Sequence, residues 1–180
     1  PYTPALSVDT TWDLGMGNAT AIWFTQSLGT GEVRVIDYYE ASGEGLPHYA
    51  KMLGERPYAY GSHWAPHDIE VRELAAGRSR IESALALGIR FRITPNIGVE
   101  EGIHAARLLF PLCWFDETKC KPGLEALQHY RRDYNSRLNE FKATPVGDWA
   151  SHGADAWRYL AVHQKPPAAV VRGAAPYRPS

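Results

Sequence analysis

Cysteine is scarce: the 180-residue chain holds only Cys113 and Cys120. Two cysteines without a matching Cys/His pair make neither a disulfide framework nor a zinc knot, so they read as free thiols. Net charge is nearly absent too, at −1 from 19 basic and 20 acidic residues. No global positive field draws nucleic acid in, and any basic groove has to be local. No apolar run approaches the roughly 18 residues that a membrane span needs, and no secretory signal is visible. The GxxxxGK[ST] phosphate loop is missing as well, which excludes a P-loop ATPase within this stretch. What is present is ordinary for one globular domain with a sizeable core: 44% apolar and 22% charged residues. The chain begins at Pro1, directly before a strand-like run, and reads as a piece cut from a longer protein.

Three runs open the chain, "ALSVDTTWDLG", "ATAIWFTQ" and "EVRVIDYYEA". They are β-branched and aromatic, with short joins, and predict an antiparallel meander. "GLPHYAKMLGER" predicts a short helix that tolerates Pro47 in its first turn. "YAYGSHWAPHD" predicts a fourth strand that runs out at Pro66. "SRIESALALG" is a helix closed by Gly88, and "IRFRITP" a fifth strand. "VEEGIHAARLLFPLC", "KPGLEALQHYRRDY" and "ASHGADAWRYLAVHQ" complete the pattern as helices. The order implies one mixed five-stranded α/β sheet, three antiparallel strands followed by parallel additions, flanked by helices. Residues 1–164 form the expected domain, and the Pro- and Ala-rich residues 165–180 are expected to be a disordered tail.

The acids stand out against this frame. Asp9 follows Val8 in mid-strand, where a sheet prefers Val or Ile, and a buried carboxylate there needs a metal, a cation or water. Asp13 lies four residues on, on the same face if the strand continues, and fits a turn residue ahead of Gly15 equally well. Asp68 ends "SHWAPHD", just past the fourth strand, where mixed sheets place ligand groups. His63 and His67 beside it read as surface histidines. His152 and Asp155 share one face of the last helix, next to the stripe of Ala150, Ala154, Trp157 and Ala161, and Asp148 or Ser151 is placed to cap it. Asp9, Asp68 and Asp155 can converge on one sheet face. Carboxylates brought together repel unless cations hold them, and oxygen ligands select Mg²⁺ or Mn²⁺ over zinc. Two such ions activate water and stabilise the leaving oxygen in phosphodiester cleavage. Asp9 is the natural bridging ligand, and His152 would bind the second ion or serve the nucleophilic water.

The stretches "VDTTWDLGMGNATAIWF", "RVIDYYEASGEGLPHYAKML", "YGSHWAPHDIEVRE" and "DWASHGADAWRYLAV" resemble the C-terminal nuclease domain of tailed-phage large terminase subunits. That domain belongs to the ribonuclease-H-like superfamily. The resemblance implies an endonuclease that cuts concatemeric double-stranded viral DNA during packaging, with Mg²⁺ or Mn²⁺, two ions, as cofactor. It implies as partners double-stranded DNA, an N-terminal ATPase domain of the same full-length protein, the portal and the small terminase subunit. No membrane is implied, and the location is the host cytoplasm. Its metal ligands carry over to Asp9, Asp68 and Asp155, and its His-x-x-Asp spacing to His152 and Asp155. An Asp-x-Gly pattern after the first strand fits Asp13 as well as the strand context fits Asp9. Asp9 is preferred because "LSVD" is the better strand, with Asp13 kept as an outer ligand.

DNA contact falls to "GRSR", with Arg78 and Arg80, and to "HYRRDYNSRLNEFK", with Arg131, Arg132, Arg137 and Lys142. These would bind phosphates rather than read bases. By the same resemblance, "YRRDYNSRLNEFKATP" fits a β-hairpin near the active site instead of pure helix. Three other readings compete. One is a different nuclease of the same fold, such as a junction resolvase or transposase-like enzyme. Another is an actin-like phosphate loop at "DLGMGNATA", which needs a second lobe that the chain is too short to hold. The last is a non-catalytic docking module of the packaging motor.

Overall fold

A computed structural model describes residues 2–15, 19–70, 79–137 and 139–164. Six strands form one mixed sheet in the order β5-β4-β1-β2-β3-β6. The central three are β1 (Val8–Asp13), β2 (Ala19–Ser27) and β3 (Val33–Ser42), paired antiparallel. On one side β4 (Tyr60–Ala65) and then β5 (Phe91–Ile93) add in parallel. On the other, β6 (Cys113–Phe115) adds in parallel to β3. The architecture is the expected mixed α/β sheet with one strand more than the sequence reading gave. Sequence periodicity carried a helix through "LLFPLC", but α3 (Val99–Leu109) ends in a 3-10 turn at Phe110–Leu112. Pro111 sits in that turn, and the freed chain lays three residues along the edge of β3.

Both faces of the sheet are covered, which explains why β2 is buried at every position but its last. On one face Val8, Trp12, Ile22, Phe24 and Ile36 pack against α1 (Leu46–Gly54) and α2 (Arg80–Ala86). On the other, Ala21, Trp23, Val33, Val35 and Tyr38 pack against α3, α4 (Lys121–His129) and α5 (Trp149–His163). α2 starts with a capping box: Glu82 N donates to Ser79 Oγ, and Ser79 N donates to the Glu82 carboxylate. Asp148 caps α5 by accepting from Ala150 N at 3.0 Å. After α4 the chain turns into a two-stranded hairpin, β7 (Arg132–Asn135) and β8 (Glu140–Pro145). The helix read over "KPGLEALQHYRRDY" therefore stops at His129, and the hairpin alternative is the one that forms.

α5 comes unusually close to the sheet. A Cβ on Gly153 would stand 2.7 Å from the Tyr38 hydroxyl and 3.1 Å from Ala126 Cβ. Trp23 Nε1 reaches across to donate to the Gly153 carbonyl at 2.8 Å. That close approach carries His152 and Asp155 down to the strand ends. Among the described residues no helix is long and apolar enough to cross a membrane.

Candidate active site

β1 ends on Asp13. It pairs with Ala21 of β2, and Ala21 pairs with Glu40 of β3. Residues directly opposite one another share a sheet face. Asp13 and Glu40 thus both face the α5 layer, with one methyl group between them. From α5, His152 Nδ1 lies 3.0 Å from Asp13 Oδ2. Asp155 stands one turn further along the same helix face. Asp68 is in the 3-10 turn His67–Glu70 that follows β4.

Electrostatics ties these groups together. Burial, above all, pushes the Asp13 carboxyl above its ordinary value; the His152 hydrogen bond opposes this, and the charges of Asp155 and Asp68 add to it. His152 is raised first by its hydrogen bond to Asp13, against burial, and further by the charges of Asp13, Glu40 and Asp155. Glu40 is held by the Tyr38 hydroxyl. Asp155 Oδ1 accepts from Arg158 Nε at 3.0 Å, from Arg158 Nη2 at 2.9 Å and from the Tyr130 hydroxyl at 3.2 Å.

Asp13 touches His152 and lies within electrostatic reach of Asp155 and Asp68, whereas Asp9 is turned to a partner of its own. This differs from the preferred sequence expectation, which put Asp9 first and kept Asp13 as an outer ligand. Asp9 lies on the same strand four residues away, roughly 13 Å at the usual rise per residue. Its Oδ1 accepts from Ser62 N at 2.7 Å. The pairing of β1 with β4 slips between Val8 and Thr10, and the turned-out Ser62 N–H is the donor Asp9 satisfies. Gly61 makes room, since a Cβ there would stand 2.5 Å from Asp9 Oδ1.

His63 is a second correction, buried rather than on the surface. Trp12 Nε1 donates to Thr10 Oγ1 at 2.7 Å, and Thr10 Oγ1 lies 2.6 Å from His63 Nδ1. Thr10 thus accepts from the indole and links it to the imidazole. Burial lowers the His63 pKa to about 4.

The donor set, three carboxylates with an imidazole alongside, suits a hard divalent cation, and the burdened Asp13 is what such a cation would relieve. Among the described residues, however, no three His, Cys, Asp or Glu side chains are close enough to hold an ion as they stand. Protein partners occupy the groups instead, His152 on Asp13 and Arg158 on Asp155.

The candidate DNA contacts divide into separate patches. Arg131 at the hairpin root pairs with Asp148 at 2.9 Å, Arg132 pairs with Glu100 of α3, and Lys142 pairs with Asp133 at 3.0 Å. Arg137 is exposed in the hairpin turn. Arg80 opens α2 and lines a cavity of about 330 Å³ with Leu14, Gly15 and Glu44, beside the end of β1. Arg78 lies outside the described residues, as does the expected tail, 165–180.

The sequence reading missed Glu40, Tyr130 and Arg158. Arg158 was within reach, because Asp155 and Arg158 stand three apart on one helix, the spacing of an ion pair. Glu40 had only strand alternation with Tyr38 to mark it, and nothing local tied Tyr130 to Asp155.

No family model and no curated protein matches the chain. Solved structures do. The large terminase of a thermophilic bacteriophage matches with a TM-score of 0.65 at 18% identity, over 89% of this chain and 40% of that one. The nuclease domain of the P22 large terminase matches with a TM-score of 0.65 at 17% identity, over 90% of this chain and 83% of that one. The g2p large terminase nuclease domain of bacteriophage SPP1, solved with bound Mn, matches with a TM-score of 0.62 at 16% identity, over 85% and 84%. The chain spans 40% of the length of the thermophilic phage's large terminase. It has the ribonuclease-H-like fold of these nuclease domains.

Proposed function

We propose that this chain is a divalent-metal-dependent endonuclease that cuts concatemeric double-stranded DNA during viral genome packaging. The observation that carries the proposal is Asp13 at the end of β1, hydrogen-bonded to His152 and within electrostatic reach of Asp155 and Asp68. The fold shared with the P22 and SPP1 nuclease domains, one of them solved with bound Mn, supports the same reading.

In this reading Asp13, Asp68 and Asp155 would hold the Mg²⁺ or Mn²⁺ ions, with Asp13 in the role first expected of Asp9. The cations supply an activated water and charge stabilisation for the leaving oxygen. His152 donates from Nδ1 to the Asp13 carboxylate, which leaves Nε2 as the atom that takes a proton from water. The pairing with Asp13 also makes that nitrogen more basic. Arg80, Arg131, Arg132, Arg137 and Lys142 contact phosphates and set the register of the duplex without reading it. The ATPase domain, portal and small subunit are the partners expected of the full-length protein.

Plasmid nicking and linearisation in Mn²⁺ tests the assignment. Wild type cuts; Asp13→Ala and Asp155→Ala lose about 100-fold or more, while Asp9→Ala, whose carboxylate serves the β4 bulge, keeps cutting. Unchanged cleavage by purified Asp13→Ala sinks the assignment. A wild-type chain that neither cuts nor binds Mn²⁺ supports the docking module, which the unclosed ligand set also fits.

A further inference from the structure

Asp155 is bonded lopsidedly. Among the described residues every donor to it lands on Oδ1, two from Arg158 and one from Tyr130. Each donor is placed by a different part of the fold. Arg158 lies on α5 itself, three residues along, with its side chain only 11% exposed against 28% for Asp155. An ion pair that merely decorated a helix would project into water, where it contributes little. Here the guanidinium is drawn beneath α3 instead. Gly102 of α3 leaves the space, since a Cβ there would stand 3.1 Å from Arg158 Nη1 and 3.2 Å from Cδ. Tyr130 is the C-cap of α4, at the root of the hairpin. Donors from two elements, α5 and the end of α4, thus converge on a single oxygen atom, and α3 leaves the room for one of them.

We propose that Arg158 and Tyr130 are positioning residues for Asp155: by saturating Oδ1 they fix the carboxylate plane and leave Oδ2 as the one atom offered to a divalent cation. This rests on the reading of Asp155 as a metal ligand. The consequence is chemical as well as geometric. With Oδ1 taken by these donors, Asp155 would meet a cation through Oδ2, its orientation already set by the protein. Partners of this kind typically alter metal affinity or activity by about 10- to 100-fold when removed. The same contact connects the hairpin root to the site, because Tyr130 lies two residues before β7 begins at Arg132.

The test is Mn²⁺ binding by the whole chain, followed by the EPR signal of the free ion, with thermal unfolding of each variant measured alongside. Tyr130→Phe removes one donor and little volume. It is expected to weaken Mn²⁺ binding about 10-fold while its Tm stays near that of wild type. Arg158→Ala is expected to weaken binding more, and Arg158→Lys, which keeps the charge and one donor, to recover part of that loss. If wild type and both Tyr130→Phe and Arg158→Lys bind Mn²⁺ alike, while Asp155→Ala does not, the positioning role is overturned and the metal assignment stands. Losses of affinity that simply track falls in Tm would make the contact structural and also overturn it. Absence of Mn²⁺ binding by wild type would remove the metal assignment itself, and this inference with it.

Discussion

A carboxylate in mid-strand invites a cation, yet Asp9 finds a backbone N–H instead. Asp37 shows another solution: it accepts from Tyr38 N at 2.9 Å, Arg56 Nε at 3.0 Å and the Tyr58 hydroxyl at 3.1 Å. Asp13 has neither resource. Among the described residues its hydrogen-bond partner is His152, and two further carboxylates press on it. A residue left uncomfortable in this way, at the end of a strand, is where function is expected. Gly153 matters at the same scale for a reason of volume. Replacing it by Val places branched carbons against the Tyr38 hydroxyl and Ala126, in a helix interior that disfavours β-branching. Gly153→Val is expected to destabilise the fold by about 2–3 kcal/mol, lowering Tm by about 5–10 °C. Calorimetry checks this, and a Tm equal to wild type would show that α5 does not need its close approach.

Among the elements, the hairpin β7–β8 carries most of the positive charge read as a DNA contact. Its cations are not idle: Arg131, Arg132 and Lys142 each hold a carboxylate. Arg131 and Lys142 are 58% and 55% exposed, and exposed pairs of this kind contribute little to stability. Exchanging Asp148 or Asp133 for a phosphate is therefore nearly free. Arg131→Ala and Lys142→Ala should each leave Tm within a degree or two and weaken duplex binding. In a plot of log affinity against log salt the slope should fall by about 0.9 per lost contact. Fluorescence anisotropy with labelled duplex measures it; slopes identical to wild type would remove the hairpin from the interface. The capping residues tell the complementary story. The last helix was read with Asp148 or Ser151 as its cap, and Asp148 is the one that accepts from Ala150 N, because a cap is a local matter settled within one turn.

For the molecule as a whole, two neutral histidines lie on opposite faces of β1. His63 meets Thr10, and His163 meets Thr11, with Nε2 2.7 Å from Thr11 Oγ1 and its ring stacked on Trp64 at 4.3 Å. Burial lowers His163 to about 3, as it lowers His63 to about 4. In the unfolded chain both return to about 6.5. Because the folded values are the lower ones, the unfolded state takes up protons first. Stability is whole above about pH 6.5 and is lost as pH falls toward 4, with His63 alone contributing on the order of 3 kcal/mol. Urea unfolding at pH 7.5 and pH 5 should show a lower midpoint in acid. A midpoint that held or rose would mean that one of these rings is charged in the fold. Net charge adds no counterweight, being −1 at neutral pH.

The order of the first five strands, the antiparallel start and the layered α/β class were written in the sequence. They depend on local periodicity, on turn and cap chemistry, and on short motifs. Which acid on β1 joins the site was not. Asp9 and Asp13 share a strand and a face, and local pattern cannot tell them apart. The choice was made by the height at which α5 crosses the sheet, set by Gly153 on Tyr38, and by the slip between β1 and β4 that gives Asp9 a partner of its own. The sixth strand and the donors on Asp155 were decided in the same way, by residues distant in sequence that only packing brings together.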